Sequence, residues 1–338
     1  MSVADHVADA LRCSHEAALS RPGRALPQIL TAVALVARLG SANDFRQMTH
    51  LLDADTSISG LHALTICPLL DALDVAQTRR EHWIAASLQR SLGWAYDFTG
   101  DDAAALEMNV KARTGFAGLG DTEGETRALS NLGVLWARRR DFLKASRDLD
   151  AAMQAADQTS HLDEQARVRV NLAYICEQQG DFARGRHLLE TAAQLSKNNL
   201  AVVQAGIFLN LVRMDLAENK PRQAAKTLLR AQPVIGAGSH FGQIEMWLLR
   251  GKIATVRRQY ADAERFLKVG IDMAKAVQAY REQAELWYAL GVAREASGHY
   301  AEAFEARRNA TVVEMSLQLA PSTDTQQGMV VKGLIELF

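Results

Sequence analysis

The stretch NLGVLWARRRDFLKAS (131–146) repeats its pattern as NLAYICEQQGDFARGR (171–186) and again as LGVAREASGHYAEAFE (290–305). Six segments of this kind share one register, which holds a small residue in all but one of them: Gly93, Gly133, Ala173, Val212 (the exception), Gly251 and Gly291. The steps between these positions are 40, 40, 39, 39 and 40 residues. A period this regular indicates a tandem repeat, so the repeat decides the architecture.

A second small residue follows each first one after twelve positions, at Ala105, Ala145, Gly185, Ala224, Ala263 and Ala303. Between the two lies a polar turn such as Gly100-Asp101, Gly180-Asp181 or Gly298-His299. Glycine suits the left-handed end of a helix, and aspartate suits the start of the next one. Each repeat therefore predicts two antiparallel helices in close contact, whose apolar faces only neighbouring repeats can cover.

The repeats resemble the tetratricopeptide repeat (TPR), whose pattern is W-x2-L-G-x2-Y followed by A, F and P. Trp287, Leu290 and Gly291 with Tyr300 and Ala303 match it best. The period of about 40 residues exceeds the usual 34, and the terminal proline is absent from every repeat. Longer repeats of this kind resemble the TPR arrays of kinesin light chains and of bacterial sensory and peptide-responsive regulators. The resemblance implies an all-α, right-handed superhelical solenoid.

The repeats divide the chain into three predicted regions. Six TPR-like repeats occupy residues 80–315, preceded by a helical region over 1–79 and followed by a segment over 316–338. We expect residues 1–79 to form a degenerate repeat that caps the array, with a separate helical bundle as the alternative. Pro68 predicts a kink or a late start for its helix. The apolar tail MVVKGLIELF (329–338) either covers the last repeat or leads into a further domain.

Composition restricts the function classes. The chain is 48% hydrophobic, with 56 alanines and six prolines, which excludes disorder and a disulfide scaffold. Lys and Arg number 38 and Asp and Glu 39, so the net charge favours neither nucleic acid nor an anionic membrane. The N-terminus lacks the features of a signal peptide, and no stretch has the roughly 20 apolar residues of a membrane helix. We therefore expect a cytoplasmic protein.

Neither catalysis nor a cofactor is predicted. The sequence contains no HExxH, Walker loop, GxSxG, GxGxxG or GGDEF motif, and its nine histidines have no metal-ligand spacing. Cys13, Cys67 and Cys176 are far apart and odd in number, so we expect free, buried thiols in a reducing compartment. The expected protein is a non-enzyme without metal or organic cofactor.

Three asparagines recur at one register of the middle repeats, Asn131, Asn171 and Asn210. Asparagine is a mediocre helix former, so its recurrence in mid-helix needs a reason. In TPR proteins the first helices line the concave groove, so the resemblance implies that these amides face a ligand. Each amide can pair with both N–H and C=O of an extended peptide. The alternative is that each asparagine bonds a neighbouring helix and stabilises the stack.

Arginines and aromatic residues share this predicted face: Arg90, Arg127, Arg138, Arg167, Arg213, Tyr174 and Trp94. Guanidinium groups bind carboxylates in a bidentate way, so the expected partner is a protein or peptide of acidic character. The later repeats place Glu245, Glu285 and Glu295 there, with Lys252. The predicted groove is therefore positive near its middle and negative toward its C-terminal end.

The sequence thus predicts a non-catalytic binding scaffold or regulator that holds an extended, partly acidic segment. One alternative is the sensory portion of a bacterial signalling protein with a cyclase, kinase or DNA-binding output domain. A phosphatase-type regulator is a third, although residues 1–79 show no catalytic group. Direct contact with nucleic acid or a membrane is not expected, and homodimerisation is left open.

Overall fold

The computed structural model describes residues 3–20, 25–41, 43–45, 47–48, 52, 62–196, 201–236 and 240–319. Within these ranges the chain forms helices and no strand, which confirms the predicted all-α class. The helices described along their whole length are α1 Val3–Ser20, α2 Leu26–Leu39, a 3₁₀ turn His62–Thr65, α3 Ile66–Thr78, α4 His82–Thr99, α5 Asp102–Leu119, α6 Thr122–Arg138, α7 Phe142–Asp157, α8 Leu162–Gln179, α9 Phe182–Leu195, α10 Ala201–Ala217, α11 Pro221–Gly236, α12 His240–Val256, α13 Tyr260–Ala276, α14 Tyr280–Ala296 and α15 Tyr300–Leu319.

The predicted repeats correspond to six helix pairs, from α4–α5 to α14–α15. The turn inside each pair contains a residue with positive φ, at Gly100, Arg140, Gly180, Asn219, Arg258 and Gly298. Their spacing reproduces the 40- and 39-residue steps of the sequence. The backbone N–H after the turn residue bonds back to the helix end, as from Asp141 N to Trp136 O at 2.9 Å. This closes the first helix and reverses the chain.

Aspartates cap the N-termini of second helices, as predicted. The Asp141 carboxylate accepts a hydrogen bond from Lys144 N at 3.1 Å, and Asp181 accepts one from Arg184 N at 3.1 Å. These bonds satisfy backbone donors that have no partner within the helix. Asp121 caps a first helix, α6, in the same way.

The conserved spacing of small residues serves close helix packing. A Cβ atom at Gly133 would lie 2.4 Å from Cγ of Leu149, which is fully buried on the partner helix α7. A Cβ at Gly251 would lie 2.4 Å from Cγ of Leu267 on α13. Neither approach leaves room for a side chain, so these two positions require glycine.

The chain forms two compact units. Unit 1 contains Met1–Asp97 and Asp102–Asn171, and unit 2 contains Phe98–Asp101 and Leu172–Phe338. The core of unit 1 is built on buried leucines such as Leu88, Leu92 and Leu132. The core of unit 2 has buried residues such as Leu267, Leu286 and Leu290.

The structure tests the predictions for Pro68 and for the three cysteines. Helix α3 begins at Ile66, two residues before Pro68, which confirms a late start. The prediction of buried thiols was wrong for Cys13 and Cys67, which are exposed on α1 and α3, whereas Cys176 is buried; all three are free. Apolar spacing alone did not show which face of these N-terminal helices is covered. Most of the predicted segment 316–338 lies outside the described residues.

Candidate functional site

The first of the recurring asparagines, Asn131, is half-buried on α6. Its Nδ2 donates to Oδ1 of Asn109 on α5 at 3.1 Å, and Asn109 Nδ2 donates to Ala105 O at 2.8 Å. Asn109 is fully buried and occupies the register of Leu149, and Gly93 makes room for it, since a Cβ there would lie 2.2 Å from Asn109 Nδ2. Asn131 therefore supplies a partner to a buried amide of the preceding repeat.

The second asparagine, Asn171 on α8, donates from Nδ2 to the hydroxyl of Ser130 on α6 at 2.9 Å. Among the described residues, the carboxamide oxygens of Asn131 and Asn171 accept no hydrogen bond. Each amide thus binds a neighbouring repeat through its nitrogen and keeps its acceptor available.

The arginines of unit 1 pair with carboxylates, two of them across neighbouring first helices (Arg127–Glu164 and Arg138–Asp97) and two within one helix. Arg127 Nε donates to Oε2 of Glu164 at 3.2 Å, and Arg167 Nη2 lies 3.5 Å from the same oxygen. Arg127 also pairs with Glu123 at 2.7 Å, and Arg138 pairs with Asp97. Glu164 is only 4% exposed, so two cations share one buried carboxylate. This arrangement fixes the guanidinium groups before any ligand arrives.

Unit 2 brings together three of the predicted side chains. The Arg213 guanidinium lies 5.2 Å from the ring centre of Tyr174 and donates from Nη1 to Asn210 Oδ1 at 3.0 Å. Asn210 is buried and donates to Gly206 O at 3.0 Å. Arg213 also pairs with Glu245. Although burial opposes its charged form, the Glu245 carboxylate raises the pKa of Arg213.

Two members of the predicted face, Arg90 and Trp94, lie on α4 in unit 1. Arg90 is half-buried, and Trp94 is 37% exposed. In the later repeats Lys252 pairs with Glu285 at 2.7 Å, and Glu295 pairs with Arg307. The charges expected there are present but mutually compensated.

We call these side chains the first-helix face, and describe it unit by unit. In unit 1 it consists of Arg90, Trp94, Arg127, Asn131, Arg138, Arg167 and Asn171, and in unit 2 of Tyr174, Asn210 and Arg213. Sequence reasoning missed the partners Asp97, Glu164 and Asn109. A signal for the carboxylates was present, because Asp97 and Arg138 are 41 residues apart and Arg127 and Glu164 are 37 apart, about one repeat.

Comparison with known proteins identifies the fold. A Rap protein complexed with competence and sporulation factor is similar to 94% of this chain and 98% of its own, with 12% identity and a TM-score of 0.61. The Rap conjugation gene regulator of plasmid pLS20, in complex with the Phr* peptide, covers 95% of this chain and 98% of its own, with 11% identity and a TM-score of 0.60. The apo quorum sensor NprR from B. thuringiensis covers 90% and 86%, with 14% identity and a TM-score of 0.57.

No protein-family model and no curated protein sequence matches the chain. In the described part of the chain, no helix is both long enough and apolar enough to cross a membrane. The solved structures and the six helix pairs agree on the architecture that the repeat pattern predicts. This chain has the TPR-type helical-repeat fold.

Proposed function

We propose that this chain is a non-catalytic regulator that binds an extended, partly acidic peptide through the unit 1 residues of its first-helix face. Two of the similar structures are complexes, one with competence and sporulation factor and one with the Phr* peptide, and a third protein is described as a quorum sensor. The observation that carries the proposal is that Asn131 and Asn171 keep their carboxamide oxygens available on successive first helices of unit 1.

The asparagine oxygens would accept N–H groups of an extended peptide backbone. Both amides are held by their nitrogen, to Asn109 and Ser130, so their orientation is fixed in advance. Ordering a side chain before binding lowers the entropic cost of association. The same contacts also stabilise the repeat stack, so a structural role and a binding role coexist in these residues.

The arginines would recognise the acidic side chains of the peptide. Arg167 is the most exposed of them at 44%, and its distance of 3.5 Å to Glu164 leaves most of its donors available. Arg127 pairs with the same carboxylate oxygen at the shorter distance of 3.2 Å. A peptide carboxylate can therefore bind Arg167 without leaving Glu164 uncompensated.

A fluorescence-anisotropy screen tests this proposal. The probes are rhodamine-labelled synthetic hexapeptides rich in Asp and Glu, each matched by a peptide with Asn and Gln. We expect acidic peptides to bind more tightly than their neutral counterparts, and Asn131→Ala with Asn171→Ala to weaken binding about fivefold per lost hydrogen bond. Arg167→Gln should weaken it by a similar factor.

Arg113→Gln is the matched control. Arg113 is also on a unit 1 helix, is 47% exposed and pairs loosely with Glu125 at 3.9 Å, yet it lies outside the first-helix face. It should leave the affinity unchanged. Circular dichroism melts of each variant separate loss of stability from loss of binding. Equal binding by wild type and the folded double asparagine variant would return both amides to a purely structural role.

A further inference from the structure

One first helix carries a charge where the others carry leucine. The residue directly before the small-residue register is Leu92, Leu132, Leu172, Leu211 or Leu290 in five repeats, and Arg250 in the sixth. Four of these leucines are buried in the core. Arg250 is only half-buried on α12, which is an unusual position for a guanidinium in a helical repeat.

Two aromatic rings and one neutral amide surround the guanidinium of Arg250. It lies 4.7 Å from the ring centre of Trp247 and 5.9 Å from that of Phe266, whose ring centres are 5.8 Å apart. Its Nη2 donates to Gln232 Oε1 at 2.7 Å. No carboxylate of a described residue pairs with it, and burial lowers the pKa of Arg250. The cation is stacked and oriented, but its charge is not compensated.

The side chain of Arg250 lines a surface groove between helices α11, α12 and α13. We call it the α11–α13 groove. The lining of one cavity of about 500 Å³ includes Leu229, Met246 and Trp247, and that of a second cavity of about 180 Å³ includes Leu229, Arg250 and Phe266. Leu229 lines both cavities and is 70% exposed. Four of the other five repeats have a charged residue at its register, Asp150, Glu190, Lys268 and Arg308.

The charged residues that line the groove are all positive. Its lining includes Arg250 and Arg257 and no carboxylate, and Arg257 has no ion-pair partner among the described residues. On α11, Lys226 and Arg230, three residues before and one residue after Leu229, also have no ion-pair partner among the described residues, although Arg230 lies over the ring of Phe208 at 6.0 Å. An apolar surface bordered by uncompensated cations fits a partner that offers apolar side chains together with carboxylates.

We infer that the α11–α13 groove is a docking site for an acidic, amphipathic segment of a partner protein. An apolar side chain of that segment enters the larger cavity beside Trp247, and a carboxylate pairs with Arg250. The groove is open at the surface, which suits a side chain presented by a folded partner. This site shares no residue with the first-helix face, so it stands or falls independently of the proposed peptide binding.

The test follows the indole ¹H–¹⁵N signals of the five tryptophans, with Trp247 assigned through Trp247→Phe. The probes are acetylated, amidated dodecapeptides that carry leucine and glutamate four residues apart, and the same peptides with glutamine. We expect the glutamate peptides to shift the Trp247 signal at about 1 mM or below, and the glutamine peptides to bind roughly tenfold more weakly. The Trp94 signal reports the first-helix face and should not follow the same titration.

Two variants and a control make the test specific. Arg250→Leu restores the leucine of the other repeats and should remove the preference for glutamate. Leu229→Glu places at an exposed site the residue that Glu190 provides in another repeat, so the fold is retained and binding is lost. Arg308→Leu removes an exposed arginine elsewhere in unit 2 and should change nothing.

Three results would overturn the inference. The first is an unchanged Trp247 signal with every peptide at about 1 mM. The second is equal binding of glutamate peptides to wild type and Arg250→Leu. The third is a concentration-dependent dimer in sedimentation that Leu229→Glu abolishes, because it would assign the groove to a second copy of this chain.

Discussion

The first-helix face and the α11–α13 groove use arginine in opposite ways. On the first-helix face Arg127, Arg138 and Arg213 each pair with a carboxylate of another first helix. In the groove Arg250 is held only by rings and by Gln232. Compensated charges join neighbouring repeats, whereas a partly buried charge without a counter-charge costs stability. The comparison separates charges that build the array from one that is available to a partner.

The largest change in stability should come from placing an arginine at the register of Arg250 in another repeat. Leu132→Arg inserts a guanidinium at the register of Arg250, but at a position that is fully buried in unit 1. Without the opening beside Trp247 the charge has no access to water, so we expect a loss of about 4 kcal/mol in unfolding free energy or failure to fold. Urea denaturation measures it. A loss below about 1 kcal/mol would show that this register tolerates charge generally.

Removing a shared carboxylate should have the next largest effect. Glu164→Ala leaves Arg127 and Arg167 without their buried partner, and we expect about 2 kcal/mol of destabilisation in urea denaturation. Glu285→Ala is the control, because Glu285 is 54% exposed and pairs with Lys252 in solvent. It should cost less than about 0.5 kcal/mol. Equal losses would mean that burial of Glu164 adds nothing.

The reverse substitution in the groove should stabilise the protein. Arg250→Leu removes a partly desolvated cation and restores the apolar residue of the other five repeats, so we expect a gain of about 1 kcal/mol. Thermal melting measures the change. A loss of similar size would show that Arg250 holds Trp247 and Phe266 in place and is structural.

The smallest predicted effect is the dependence of stability on pH through the carboxyl group of Glu264. Arg294 donates to Glu264 and holds the pKa of this carboxyl below its ordinary value of 4.5. A carboxylate with a lowered pKa in the folded state contributes stability above that ordinary value, and the contribution is lost as the pH falls through the folded-state pKa. Denaturation of wild type and Glu264→Gln should therefore differ at pH 7 and converge in acid. A difference that stays the same as the pH falls from 7 into acid would contradict this linkage.

The repeat architecture could be predicted because small residues and turn residues recur at a regular spacing along the chain. Small residues at Gly133 and Gly251 and the turns at Gly180 and Gly298 act within one helix pair, and the structure shows each of them in that role. The side-chain contacts between helices are harder to predict: a separation of about one repeat suggests a pair, but spacing along one helix does not reveal which side chain of the next helix lies opposite. Asn109 illustrates this, since its partner Asn131 is 22 residues away on another helix.

The α11–α13 groove could have been found from the sequence, since Arg250 breaks a column of leucines. The sequence does not reveal the cavity beside Arg250. It depends on how α11 packs against α12, and Pro233 and Leu229 show their contribution only in three dimensions.

The most direct test of peptide binding is a titration of the Trp94 indole signal with the acidic hexapeptides. Trp94 lies on the first-helix face of unit 1, is 37% exposed and needs no substitution to report a ligand there. We predict a saturable shift that Arg167→Gln weakens and Arg113→Gln does not. A Trp94 signal that no acidic peptide shifts, or that both variants affect equally, would contradict binding at this face.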